Sequence, residues 1–270
     1  MEESYELPVR RIDIHNHVWG EGDGTEVIES MDRAGIEVTL VMGVPHQPNE
    51  RVLSAVRKYP RRLVGGVYAD PRQGRKAIDL IRRYHGEGFR VVKLFPNLGY
   101  YPDDPVVRPF FDAVAELGMA VLSHCGWLWP PIVEQIGCEC ASYYSHPGRF
   151  EKLARLYPDT IFILAHMGGI AGFLEMVMLT TRTANVFTDC SPGQGRWVLE
   201  SGGAMAASVP AAKLMWGADS NDQAGGLEPY RVALVNLGYG PHLEKIFYSN
   251  ARGILERIGA IEKPDASGVH

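Results

Sequence analysis

No stretch of this 270-residue sequence approaches the roughly 18 consecutive apolar residues that a membrane-spanning helix needs. Lysine and arginine never gather into a run. Arg82 and Arg83 read as the solvated face of a helix, and a net charge of −5 gives no electrostatic reason to expect nucleic acid. Four cysteines in a chain of this length make no disulfide framework. The opening MEESYELPVRR is acidic with no apolar stretch behind it, unlike a secretory leader. The expectation is a cytoplasmic, reduced protein. Neither a GxGxxG nor a Walker A sequence follows any predicted strand, which argues against a doubly wound nucleotide-binding sheet.

What the sequence does have is a regular alternation. With 46% hydrophobic and 22% charged residues it can bury a large core as one domain, residues 1–270, with 1–10 and 262–270 as tails. Eight apolar, β-branched runs read as strands: 11–17, 38–44, 62–70, 89–95, 119–125, 160–166, 185–191 and 213–219. Helical spacing is clearest at 26–35, 50–60, 76–88, 109–118 and 149–158. Gly35, Gly88 and Gly118 stand where a left-handed cap is wanted, and Pro60 and Pro158 end the other two. Strict strand–helix alternation over eight units predicts an α/β fold, a single (β/α)8 TIM-type barrel. One connection is long: residues 126–148 carry Trp127, Trp129, Tyr143 and Tyr144, and read either as a lid over the rim or as a subunit contact.

The chemistry sits at the strand ends. On the first strand Asp13, His15 and His17 alternate with Ile12 and Ile14, so simple pleating would aim all three polar residues at the barrel interior and both isoleucines at helices. An H-x-H pair alone arises easily among nine histidines. But His124 ends the fifth predicted strand, His166 the sixth and Asp219 the eighth, while Lys93 lies near the end of the fourth. In a barrel these ends converge on one mouth, where buried charged groups need partners or a metal. Two neighbouring neutral imidazoles suit a divalent cation.

The first-strand D-x-H-x-H, K-L-x-P on strand four, the histidines of strands five and six, G-A-D on strand eight and the closing SNARGILERIG resemble the amidohydrolase superfamily. More narrowly they resemble the amidohydrolase-related branch that includes aminocarboxymuconate-semialdehyde decarboxylase. The resemblance implies His15, His17 and His124 as metal ligands, Asp219 as a carboxylate ligand or a base, and His166 as either a second-metal ligand or a free acid/base beside the substrate; Asp219 and His166 are the expected catalytic pair. Lys93 matches the position that is a carboxylated bridge in two-metal members. A single metal with a free Lys93 anchoring an acidic substrate is the expectation here. Zinc suits the ligand types, with manganese or cobalt also fitting. Asn250 and Arg252 match a motif that anchors the final helix.

Asp189 and Ser191, at the end of strand seven, face the same mouth as possible substrate-binding residues, as do Trp127 and His46. Cys125, next to His124, should point away from the metal side; Cys138 and Cys140 have the wrong spacing for a zinc knuckle. His85, His242 and His270 read as solvated. The favoured activity is hydrolysis of a small amide, lactone or related carbonyl compound. Non-oxidative decarboxylation is the runner-up, and a metal-free binding protein with a relict site the third reading. The expected partner is a small molecule, with a homodimer as the default assembly.

Overall fold

The structure, a computed structural model, describes residues 5–19, 22–136 and 140–263. Eight parallel strands run β1 (Arg11–His17), β2 (Ile36–Met42), β3 (Leu63–Tyr68), β4 (Val91–Leu94), β5 (Ala120–Ser123), β6 (Phe162–Leu164), β7 (Val186–Asp189) and β8 (Leu214–Met215). They are paired in sequence order, so each strand neighbours the next in the chain. Helices α1 (Thr25–Ala34), α2 (Asn49–Lys58), α3 (Arg75–Gly86) and α4 (Arg108–Glu116) fill the first crossovers. They are followed by α5 (Pro130–Ile136), α6 (Glu151–Leu156), α7 (Gly169–Arg182), α8 (Gln194–Ser201), α9 (Gly203–Ala206), α10 (Gln223–Asn236) and α11 (Asn250–Arg257). This is the expected α/β TIM barrel, and no helix among the described residues is long and apolar enough to cross a membrane.

Pleating divides the strand residues into two apolar layers. Val41, Val67, Val92, Leu94, Val121, Phe162, Leu164 and Val186 pack outward against helix residues such as Met31, Val52, Ile81 and Phe110. Leu40, Met42, Val64, Val91, Leu122 and Ile163 form the interior cluster, whose floor is closed by Tyr248 and by Ala251, Ile254 and Leu255 of α11. Asn250 Nδ2 holds that last helix in place by donating to the carbonyls of Ala211 (2.7 Å) and Leu214 (2.8 Å). The predicted glycine caps Gly35, Gly88 and Gly118 adopt φ of 60°, 94° and 63° just after α1, α3 and α4.

β1 departs from its predicted facing. Ile12 and Ile14 belong to the interior cluster rather than packing on helices, and the pairing register with β2 shifts between Asp13 and Asn16. Asp13 therefore lies on the outer side, where its carboxylate accepts from Gln223 Nε2 of α10 (2.7 Å), Asn16 Nδ2 (2.8 Å) and the Ala218 amide (2.9 Å). A bulge adds one residue to a strand without a partner opposite, so Ile14 and His15 can both serve the interior.

The circle closes differently from the rest of the ladder. Among the described residues β8 and β1 share no strand pairing. The joint is made by the Ile14 amide donating to the Trp216 carbonyl (3.3 Å) and the Asp219 amide donating to the His15 carbonyl (2.7 Å). Gly217 lies between, and a Cβ built on it would come within 2.7 Å of His15 Cβ, so no side chain fits there without separating the two strands.

The long 126–148 connection contains α5 and a short helical turn at Ser142–Ser145. Trp127 and Trp129 are exposed, while Cys140 packs half-buried near Phe95, Leu98 and Leu128. Cys138 and His270 lie outside the described residues. His85 and His242 are half-buried rather than fully solvated.

Candidate metal centre

The mouth gathers what the strand ends carry. His15, His17 and Asp219 present ligand atoms within 4.8 Å of one another, and so do His15, His166 and Asp189. Asp219 leaves the chain four residues past β8 and His166 two past β6, so neither is held by the ladder. Both take left-handed backbone conformations, with φ of 40° and 57°. The only other non-glycine residue with positive φ among those described is Met167, next to His166. Such conformations cost about 1–3 kcal/mol each and persist where surrounding contacts impose them, typically at functional sites.

Burial sets the protonation states. His15, His124 and His166 are almost wholly buried, and burial lowers the pKa of each. For His15, burial and then the neighbouring Lys93 bring it to about 4; for His124 burial is joined by His166. Burial therefore favours the neutral form of all three. Burial works against the charges of Asp189 and Asp219, but the facing imidazoles outweigh it and hold both below the usual carboxylate range. Lys93, fully buried, is lowered to about 8 by burial.

Hydrogen-bond partners then distinguish the two carboxylates. Asp189 Oδ2 accepts from His15 Nδ1 at 3.0 Å. Its Oδ1 accepts from the amides of Ser191 (3.0 Å) and His166 (3.2 Å) and from the Ser191 hydroxyl. With four donors around it, Asp189 has little acceptor capacity left for a cation or a substrate. Asp219 lies 3.3 Å from His17 Nε2 and 4.0 Å from His166 Nε2, and its side chain keeps 22% exposure. It is the carboxylate open to the mouth.

The imidazoles are also oriented. His17 donates Nδ1–H to the Met42 carbonyl (2.9 Å), which turns its Nε2 edge towards Asp219. His15 donates Nδ1–H to Asp189, and its Nε2 meets Lys93 Nζ at 2.8 Å. A second hydrogen bond that fixes the ring and its tautomer is the usual support of a metal-binding histidine. His124 stands apart from the His15–His17–Asp219 group. It stacks on Phe95, its Nδ1 is 3.2 Å from His166 Nε2, and its buried Nε2 has no hydrogen-bond partner. An orphaned buried nitrogen of this kind asks for a ligand. The donor set thus fits a small divalent cation.

Residues 36–257 match a family profile described as amidohydrolase. The chain belongs to the amidohydrolase family. The match begins after β1, so the first-strand histidines are supported by geometry instead. Amidohydrolase-fold structures align over almost the whole chain. A 5-carboxyvanillate decarboxylase from Sphingomonas paucimobilis superposes with TM-score 0.67 at 16% identity, covering 92% of this chain and 99% of its own. A probable 2-pyrone-4,6-dicarboxylic acid hydrolase from Acinetobacter baumannii, with citric acid bound, gives 0.60 at 18% over 92% and 99%. A 5-carboxyvanillate decarboxylase from Novosphingobium aromaticivorans with bound manganese gives 0.64 at 17% over 88% and 81%. At these identities the likeness concerns the fold. No curated protein sequence matches significantly.

The remaining predicted site residues fall in different places. Lys93 is inside as expected, but fully buried beneath His15 and over the Phe95 ring at 5.0 Å. Cys125 packs in the outer layer, away from the mouth. Trp127 sits on the rim with its backbone held by Gln194, which accepts from the Trp127 amide (3.1 Å) and donates to its carbonyl (2.9 Å). His46 is exposed in the loop after β2, close enough for His17 to lower its pKa after burial has done so. Gln194 and Gln223, which brace the rim loop and Asp13, went unnoticed in the sequence. Each is a helix-entry polar residue with no periodic signal of its own.

Proposed function

We propose that this chain is a metal-dependent hydrolase of a small carbonyl substrate, an amide, a lactone or a related compound. The observation that supports it is the division of labour between the two carboxylates: Asp189 is surrounded by donors, while Asp219 is ionised, open to the mouth and within 4.0 Å of His166. His15, His17 and Asp219 would hold a single divalent cation, with His124 Nε2 as a further imidazole donor. Zinc suits these ligands, and manganese or cobalt are alternatives. When bound, the cation supplies Lewis-acid polarisation of the carbonyl and makes water acidic enough to lose a proton near neutral pH.

The chain's own residues move the proton. Asp219 takes it from the attacking water and returns it to the leaving group. His166, held between Ser191 and His124, fixes the wall of the site beside Asp219. Lys93 stays beneath His15, and its buried amine draws the negative end of an acidic substrate towards the site through the field alone. Trp127 forms part of the rim the substrate passes. His15 Nε2 must release Lys93 Nζ as the cation arrives, which a lysine with lowered pKa makes easier.

The test uses protein purified without chelators. Metal content is measured, and the protein is then offered 2-pyrone-4,6-dicarboxylate and dihydrocoumarin for ring opening, and 5-carboxyvanillate for release of carbon dioxide. Metal-dependent ring opening is the expected result. Carbon dioxide release without hydrolysis would replace this reading by the decarboxylase one, for which the fold likeness to 5-carboxyvanillate decarboxylase speaks. Absence of metal and of both activities would leave a binding protein.

A further inference from the structure

Four residues at the mouth form one continuous hydrogen-bonded line whose direction can be worked out from proton counting. It begins at Asp189. A carboxylate with two amides and a ring N–H pointing at it is an acceptor only, so the contact between the Ser191 hydroxyl and Asp189 Oδ1 must use the hydroxyl's single hydrogen. Ser191 Oγ therefore has only lone pairs left for its other neighbours. His166 Nδ1, at 2.7 Å, has to be the N–H that donates to it. His15 Nδ1–H, 3.3 Å away, shares its proton between Asp189 and the same oxygen without conflict. A neutral imidazole carries one proton, so His166 Nε2 is bare. The ring nitrogen 3.2 Å from it, His124 Nδ1, must then be protonated. The last atom of the line, His124 Nε2, is left as an unprotonated nitrogen, buried and without a partner.

We propose that Ser191 is a positioning residue: it relays the acceptor character of Asp189 through His166 to His124, fixing both imidazoles as Nδ1–H tautomers so that His124 faces the mouth with a bare Nε2. A bare nitrogen is what a metal ligand or a proton acceptor at that point requires, whereas an N–H there would repel a cation. The hydroxyl is needed because Asp189 and His166 are joined by no direct side-chain hydrogen bond, only by the His166 amide. Alanine at position 191 removes the oxygen that accepts from His166 Nδ1–H, and both rings lose their tautomer preference. Threonine keeps the oxygen.

This inference rests on the metal-centre reading only for its functional consequence; the tautomers are observable on their own. The test is 15N-histidine NMR of the full chain in its metal-free and zinc-loaded forms, for wild type, Ser191→Ala and Ser191→Thr, with zinc affinity measured by chelator competition. In metal-free wild type, His166 and His124 should each show a protonated Nδ1 and an unprotonated Nε2. Ser191→Ala should mix the tautomers and weaken zinc about tenfold or more, the scale on which supports of metal ligands act. Ser191→Thr should restore both. A protonated His124 Nε2 in wild type, or unchanged tautomers in Ser191→Ala, overturns the proposal. Mixed tautomers with unchanged zinc affinity uphold the relay and instead remove His124 from the metal site.

Discussion

Gly217→Ala probes the closure of the barrel and the site at one stroke. A Cβ at this position would lie 2.7 Å from His15 Cβ, 3.2 Å from its amide nitrogen and 3.4 Å from its Cα. Ordinary contact begins near 3.4 Å, so the shortfall is 3.4 − 2.7, or 0.7 Å, against the root of a side chain that no rotamer change can move. The strands must part instead, and between β8 and β1 they are tied by two backbone hydrogen bonds, Ile14 to Trp216 and Asp219 to His15. Overpacking of this kind costs about 1–3 kcal/mol. At roughly 2–4 °C per kcal/mol for a domain of this size, Tm should fall by about 2–12 °C, read by circular dichroism. The larger effect is on alignment. His15 and Asp219 lie on opposite sides of the parted joint, and a misplacement near 1 Å costs about a hundredfold in a positioned reaction. Zinc affinity and turnover should both fall steeply while the far-ultraviolet spectrum stays that of the barrel. A variant with wild-type Tm and wild-type zinc affinity would show that the close approach of Gly217 to His15 is not what sets the site.

Asp219→Asn keeps the shape but removes charge and basicity; turnover should drop at least about a hundredfold, and wild-type turnover would exclude Asp219 as the base. His15→Ala and His17→Ala should each lose bound metal in elemental analysis while retaining the barrel's circular dichroism. Near-normal metal content in both would remove them from the ligand set. Fully loaded protein should contain about one metal equivalent by elemental analysis, with an unmodified Lys93 in the metal-loaded crystal, because Asp189 is surrounded by donors and Asp219 is the one carboxylate left open to a cation. Two equivalents with a carbon dioxide adduct on Lys93 would instead mean a bridged pair of metals.

The barrel was legible because its units repeat: each strand is an apolar β-branched run, and glycines such as Gly35 and Gly118 mark helix ends by a backbone conformation other residues avoid. The strand ends were less legible. The run 160–166 reads as strand to His166, yet pairing stops at Leu164, since His166 turns left-handed to give its amide to Asp189. The two glycines after Met167 were the available sign of that turn. Asp13 could not be placed by alternation, because the bulge that follows it leaves no mark in the residue types. Alternation along strand seven puts Asp189 and Ser191 at the mouth as groups to meet a substrate. Their part in holding His15 and His166 depends on contacts across more than 20 positions of chain, which no local pattern carries.

The unpaired joint between β8 and β1 gives a bound cation a second consequence. His15 and His17 lie on one side of that gap and Asp219 on the other, so an ion shared among them would act as a clasp on a hoop that is otherwise fastened by a few hydrogen bonds. Occupancy would then be felt throughout the fold, since an ion present at a hundred times its Kd adds about 2.7 kcal/mol to the folded state. Amide hydrogens at Ile14 and Asp219, which carry the closure, should exchange with solvent faster than those in the middle of β4 or β5 when the ion is stripped, and slow down together when it returns.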